Sequence, residues 1–221
     1  MTIKEKDFIQ IDFTGKVVDG EIFDSTIKED LEKLHAGHDH PVDVKPLVFG
    51  LGQGMFLKAL DEFLVGKETG KTYEVDLEPE KAFGNRDPKL INMIPMKIFR
   101  EKNINPIQGV SLNFDGKMGR ILAVSGGRVM VDFNHSLAGK PVHYKIKVIK
   151  KVDDLNEKIK AFNDFFFRQE FKFSVDSDKK KITLEVDKQF SKVVELFKDK
   201  FKEVFDLELE VKEIGEKKEE K

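Results

Sequence analysis

Glycine and proline divide this 221-residue chain: fifteen of its 16 Gly and all seven Pro precede residue 142, whereas ten of its 20 Phe follow residue 160. Gly supplies turn conformations closed to other residues and Pro interrupts helices and inner strands, so the first part is read as short strands and turns. The Phe-rich remainder, almost without breakers, is read as mainly helical, with a boundary near Val152-Asp153.

Within the first part, Ile9, Ile11 and Phe13 alternate with Gln10 and Asp12, and Val142, Tyr144, Ile146 and Val148 alternate with polar neighbours, as in half-buried strands. Tyr73, Val75 and Leu77 make a third such strand. Asp19-Gly20 between apolar residues predicts a hairpin turn. Phe56, Leu57, Leu60, Phe63 and Leu64 read as one short amphipathic helix that Gly66 closes. Gly50-Leu51-Gly52-Gln53-Gly54 lacks the Lys-Ser/Thr ending of a phosphate loop and is read as a turn entering that helix.

From Arg86 to Asp132 the pattern changes. This stretch holds Pro88, Pro95, Pro106 and four of the six Met, with short strands at Arg120–Val124 and Arg128–Val131, and reads as a small β-rich insert. In the last part, Leu155, Ile159, Phe162 and Phe166 step along one helix face, and Phe190, Val194, Phe197, Phe201 and Phe205 along a second, longer one. Between them Phe171–Val175 and Ile182–Val186 flank a polar turn, and Leu207–Val211 is a final alternating strand. The fold class is α+β, with four segments: 1–85 plus 133–152, the insert 86–132, a carboxyl-terminal α+β domain 153–214, and a charged tail 215–221.

Charge and composition exclude several classes. The 41 acidic and 39 basic side chains leave a net charge of −2, which argues against nucleic acid or a membrane surface as partner. There is no cysteine for disulfide or thiolate chemistry, no apolar run of membrane-spanning length and no signal-like apolar stretch at the start, so a cytoplasmic setting is expected. His35, His38, Asp39 and His40 could hold nickel or zinc, but without defined geometry or Cys they are read as a solvated loop, and no metal or other cofactor is assigned.

Four stretches in register resemble the FKBP family of peptidyl-prolyl cis-trans isomerases. They are Asp12-Phe13-Thr14-Gly15 with Asp19 to Thr26, Pro46 to Gly52 running into Phe56 to Leu60, Glu78 to Gly84, and Asn134 to Lys140 leading into Val142-His143-Tyr144. The likeness is closest to the long, SlyD-like branch with an insert-in-flap domain. With the additional carboxyl-terminal domain it suggests an archaeal-type long member. The resemblance implies an antiparallel sheet with one short helix and an apolar pocket lined by Phe13, Phe23, Leu47, Phe56, Leu57, Leu60, Phe83 and Tyr144, with Asp24 at its rim. It also implies that the Leu57 backbone amide fixes the carbonyl after proline. Phe13 and Phe83 stand where family members typically carry Tyr, and Leu60 where short members carry Trp, which bears on macrolide binding more than on isomerisation.

The implied activity is acceleration of X-Pro isomerisation in unfolded or partly folded, proline-containing polypeptides, with chaperone-type binding by the insert and the carboxyl-terminal domain. Ile91, Met93, Ile94, Pro95, Met96, Ile98 and Phe99 crowd an insert too small to bury them all. Phe165-Phe166-Phe167 occupy helix positions about 100° apart, so some must meet a second surface: the first domain, a second subunit (a homodimer) or a client. A non-catalytic holdase and a metal-handling protein are the competing readings.

Overall fold

The computed structural model describes residues 1–34 and 44–214. His35, His38 and His40 and the charged tail therefore lie outside the described residues. The chain runs through β1 (Phe8–Val17), β2 (Ile22–Ser25), α1 (Lys28–Leu34), β3 (Leu47–Gly50), α2 (Lys58–Leu64) and β4 (Thr72–Leu77). After single-turn helices at Pro79–Lys81 and Pro88–Leu90 come β5 (Ile91–Pro95), α3 (Met96–Glu101), β6 (Ser111–Phe114), β7 (Lys117–Ser125), β8 (Arg128–Asp132) and β9 (Val142–Val152). The last part comprises α4 (Leu155–Phe167), β10 (Lys172–Asp176), β11 (Lys181–Asp187), α5 (Lys188–Glu195), α6 (Lys198–Phe205) and β12 (Glu208–Ile214).

Two compact units result. The first contains the described parts of Met1–Thr14, Asp24–Glu74 and Lys145–Lys221, and the second contains Gly15–Phe23 and Val75–Tyr144.

One five-stranded sheet has the order β2-β1-β9-β4, with β3 pairing antiparallel to β1 so that Ile9 meets Phe49 and Ile11 meets Leu47. The alternation read in β1 and β9 is realised: Ile9, Ile11, Phe13, Ile146 and Val148 are all buried. Helix α2 begins after Leu57, and Gly66, at φ +83°, provides the left-handed residue that ends this segment. Helix α1 was not expected from periodicity, because its seven residues bury only Leu31. It is anchored instead by polar contacts, since Asp30 accepts hydrogen bonds from the Thr14 and Ser25 hydroxyls at 2.6 and 3.3 Å.

The first unit holds a three-stranded sheet, β10-β11-β12, in which β10 and β11 form the expected hairpin and β12 runs parallel to β11. A parallel return needs a crossover, and α5 and α6 supply it. The stripe from Phe190 to Phe205 is thus two helices and not one. At the break the Leu196 and Phe197 amides donate to carbonyls only three residues back, at 3.2 and 3.0 Å, tightening the turn. That turn leaves Leu196 82% exposed and brings Phe197 to 5.2 Å from Phe166 and 4.8 Å from Phe167. Phe162 joins this aromatic core, 4.9 Å from Phe201.

The second unit contains the insert, a four-stranded sheet of order β5-β8-β7-β6. Phe99, Ile121, Val129 and Val131 form its buried core, flanked by Ile94, Met96, Leu112, Phe114 and Phe133. Helix α3 was not foreseen: Pro95 ends β5, and Met96 and Phe99, three residues apart, turn inward from one helical face. At the neck of the insert Arg86 bonds Asp132 at 2.5 Å, and the Asp87 amide donates to the Asn134 side chain at 2.8 Å.

Candidate functional site

Phe13 is held by its own backbone. Its N–H donates to the Thr26 hydroxyl at 2.8 Å, and its carbonyl accepts from the Thr26 amide and the Ser25 hydroxyl, each at 2.9 Å. The hydroxyl residues that follow Asp24 thereby position the aromatic residue on the neighbouring strand. The Phe13 ring meets Phe56 edge-on, at 5.4 Å and 66°, and Phe56 in turn lies 5.1 Å from Phe49. Such offset contacts stabilise aromatic pairs beyond the area they bury.

Phe56 reaches this position through the glycine-rich turn. Gly52 and Gly54 take φ of +72° and +75°, which residues with a Cβ rarely adopt. Asp61 of α2 secures the turn by accepting the Gly52 amide at 3.1 Å. Asp61 is 6% exposed, and its carboxyl is pushed up to about 6, chiefly by burial and further by the charge of Glu62, against the lowering effect of the Gly52 hydrogen bond.

Phe13, Asp24, Leu47 and Phe56 line one cavity of about 570 Å³, together with Met55 and residues of α4. Four of the nine site residues read from the sequence are therefore brought together around it. Asp24 stands with its surface largely open, yet its carboxyl is pushed up by desolvation among the surrounding walls, while the Ser25 amide acts the other way. Leu57 caps α2, its carbonyl accepting the Leu60 and Asp61 amides at 2.8 and 3.0 Å, and Leu60 is fully buried beneath.

Phe23, Phe83 and Tyr144 form an aromatic group within the second unit. Phe23 lies 5.6 Å from Phe83 and 5.8 Å from Tyr144, both edge-on, and Phe83 stacks on His135 at 4.9 Å with rings 2° from parallel. Gly15 makes room for this group: a Cβ there would sit 2.9 Å from Phe23 and 3.0 Å from Tyr144.

A family model described as FKBP-type peptidyl-prolyl cis-trans isomerase matches residues 1–99. The chain is 33% identical over 146 residues to the short-type peptidyl-prolyl cis-trans isomerase of Methanocaldococcus jannaschii, covering 66% of this chain and 92% of that protein. This chain belongs to the FKBP-type peptidyl-prolyl cis-trans isomerase family. The FKBP-type 16 kDa peptidyl-prolyl cis-trans isomerase of Escherichia coli K12 is 29% identical over 153 residues, covering 67% and 93% of the two chains. SlyD of Haemophilus influenzae is 28% identical over 110 residues, covering 48% and 57%. A model described as FKBP26, IF domain, matches residues 92–137, so the FKBP-type chain carries the insert expected from its sequence. Neither model's match extends past residue 137.

Sequence reading missed α4 as part of the cavity. Lys160, Asp164, Phe165 and Arg168 all line it, and Lys45 pairs with Asp164 at 3.6 Å. The signal was the Phe165-Phe166-Phe167 run, which required a second surface without saying which one. Among the described residues no cluster of three or more His, Asp or Glu could hold a metal, and no helix is long and apolar enough to cross a membrane.

Proposed function

We propose that this FKBP-type isomerase binds the proline ring of polypeptide substrates in the cavity walled by Phe13, Leu47 and Phe56, with Asp24 at the rim. Twisting an X-Pro bond loses amide resonance, at a barrier of about 20 kcal/mol, and no bond to the enzyme is required. An apolar, water-poor wall disfavours the polar planar amide relative to the twisted one and so lowers that barrier. The observation that carries this reading is the edge-on Phe13–Phe56 pair opening onto a cavity of about 570 Å³. Leu57, at the start of α2, offers its backbone amide to the carbonyl after proline, and Leu60 supports the wall from beneath. Phe23, Phe83 and Tyr144 are assigned to the same activity by family resemblance. Isomerisation of a short X-Pro peptide tests the assignment: Phe56→Ala should lower the rate about tenfold or more, a loss of roughly 1.4 kcal/mol, and Phe83→Ala should lower it independently. An unchanged rate in Phe56→Ala would remove the cavity from the mechanism.

Client binding falls to the insert in this proposal. Met93 and Met118 are 54% and 59% exposed, and Ile98, Ile107 and Val110 are exposed with them. Flexible thioethers suit varied apolar sequences. The neck contacts of Arg86 with Asp132 and Asp87 with Asn134 support taking 86–132 as a domain inserted into 1–85 plus 133–152, followed by 153–214. The carboxyl-terminal segment supports reading the chain as a long member of archaeal type. Its route to a homodimer would be Val193 and Leu196, both exposed, and not the Phe165–Phe167 run. A cytoplasmic setting completes the proposal.

A further inference from the structure

The cavity is lined from distant parts of the sequence. Phe13, Leu47 and Phe56 belong to the FKBP-type segment, whereas Lys160, Asp164 and Phe165 of α4 and its C-cap Arg168 come more than 100 residues later in the chain and beyond the stretches matched by the family models. Helix α4 packs against β3, the strand that begins with Leu47, and the Lys45–Asp164 pair ties the approach to β3 onto the helix. The N-cap Asp154, which accepts the Glu157 amide at 2.7 Å, fixes where α4 starts and hence which face meets the cavity.

Arg168 is conspicuous at the other end. It occupies the left-handed position that closes α4, at φ 54° and ψ 34°, with its amide bonded to the Asp164 carbonyl at 3.1 Å. Gly is the usual occupant of such a position because a Cβ is disfavoured there. An arginine here bears that penalty while setting its guanidinium 5.9 Å from the Phe165 ring, and both residues line the cavity. The cavity also presents the carboxylates of Asp24, Glu157, Asp164 and Glu170, of which Asp164 is paired with Lys45 and Glu157 with Lys150, so the charge set beside Phe165 itself is the Arg168 guanidinium. An aromatic face beside a guanidinium offers packing to a side-chain stem and a charge to its end.

We infer that α4 is a wall of the substrate cleft, and that Phe165 and Arg168 contact the residues flanking proline and favour an acidic side chain there. The carboxyl-terminal segment then acts on the same polypeptide as the FKBP-type segment, at the same place, as a specificity element. This inference rests on the cavity assignment proposed above. Phe165 and Arg168 touch no bond that twists, so their effect should fall on KM and on selectivity between peptides.

The test uses the full chain and peptides with Glu, Ala or Lys next to the X-Pro pair. The intact protein should favour Glu over Lys by about fivefold to tenfold in kcat/KM, and Arg168→Glu should reverse that order. Phe165→Ala should raise KM for all three peptides with kcat retained. Thermal unfolding of each variant identifies any that fail to fold, and Arg168→Gly, which relieves the left-handed backbone, keeps the question answerable by losing selectivity while gaining stability. Equal Glu-to-Lys ratios in the intact protein, Arg168→Glu and Arg168→Gly would overturn the inference. Phe56→Ala in the same assay separates the two readings, since full activity there removes the cavity assignment itself, whereas lost activity with unaltered selectivity at Arg168 removes only the role of α4.

Discussion

The rings of Phe8 and Phe205 lie 5.9 Å apart, joining the first residue of β1 to the last residue of α6. Lys151 bonds Asp7 at 2.8 Å beside them, and Phe205 also lies 5.4 Å from Phe162. The aromatic core of the carboxyl-terminal segment is thus continuous with the sheet that carries Phe13. Phe205→Ala, at a half-buried ring, should destabilise the chain by about 1–3 kcal/mol. Denaturant unfolding followed by probes in β1 and in α6 should shift together; a shift confined to α6 would show that the two stretches unfold independently.

Replacing Gly15 should disturb the second aromatic group without touching its rings. The added methyl of Gly15→Ala would press on Phe23 and Tyr144 at about 3 Å, and over-filled sites lose typically 1–3 kcal/mol. Stability should fall by that order. If Phe23 and Tyr144 serve the reaction, the isomerisation rate should fall too in the folded fraction, and a rate that stays constant at reduced stability would separate packing from activity.

Asp61 predicts a distinctive pH response. Its carboxyl, pushed up to about 6 from 3.8, holds a proton more tightly in the folded chain than in the unfolded one. Its contribution to stability is therefore fully present below 3.8 and is lost as pH rises through about 6. Asp61→Asn retains an acceptor for the Gly52 amide and removes the charge. It should raise stability at pH 7.5 by about 1–3 kcal/mol and change little at pH 3.5. Melting curves at both values check this; an equal gain at each would show that Asp61 is uncharged throughout.

Exposed methionines of the insert can be altered with little effect on folding. Met93→Lys with Met118→Lys should change stability by no more than about 0.5 kcal/mol per site. Suppression of aggregation of an unfolded client should weaken while isomerisation of a short peptide persists. Equal chaperone capacity before and after the change would place client binding elsewhere.

Much of the architecture could be read along the chain because it depends on local periods. The alternation at Ile9, Ile11 and Phe13, the Asp19-Gly20 turn and the stripe from Leu155 to Phe166 each report one element and the face it buries. Helix α1 escaped because a helix burying only Leu31 has no stripe, its anchor being the hydroxyl-carboxylate contacts of Thr14, Ser25 and Asp30. The break at Leu196 escaped because both halves continue the same apolar spacing, and only the parallel pairing of β12 with β11 demands two crossover helices.

The family motifs pointed to nine residues, of which Phe13, Asp24, Leu47 and Phe56 line one cavity, but not to what else lines it. By itself the amino-acid sequence determined the periodic strands and helices, the inserted unit and the aromatic supply, since these follow from residue spacing and backbone preference. Tertiary structure alone decided that α4 lines the same cavity as Leu47 and Phe56 and that Arg168 stands beside Phe165. Contacts between segments a hundred residues apart arise from which buried faces fit together, and no local period encodes that fit.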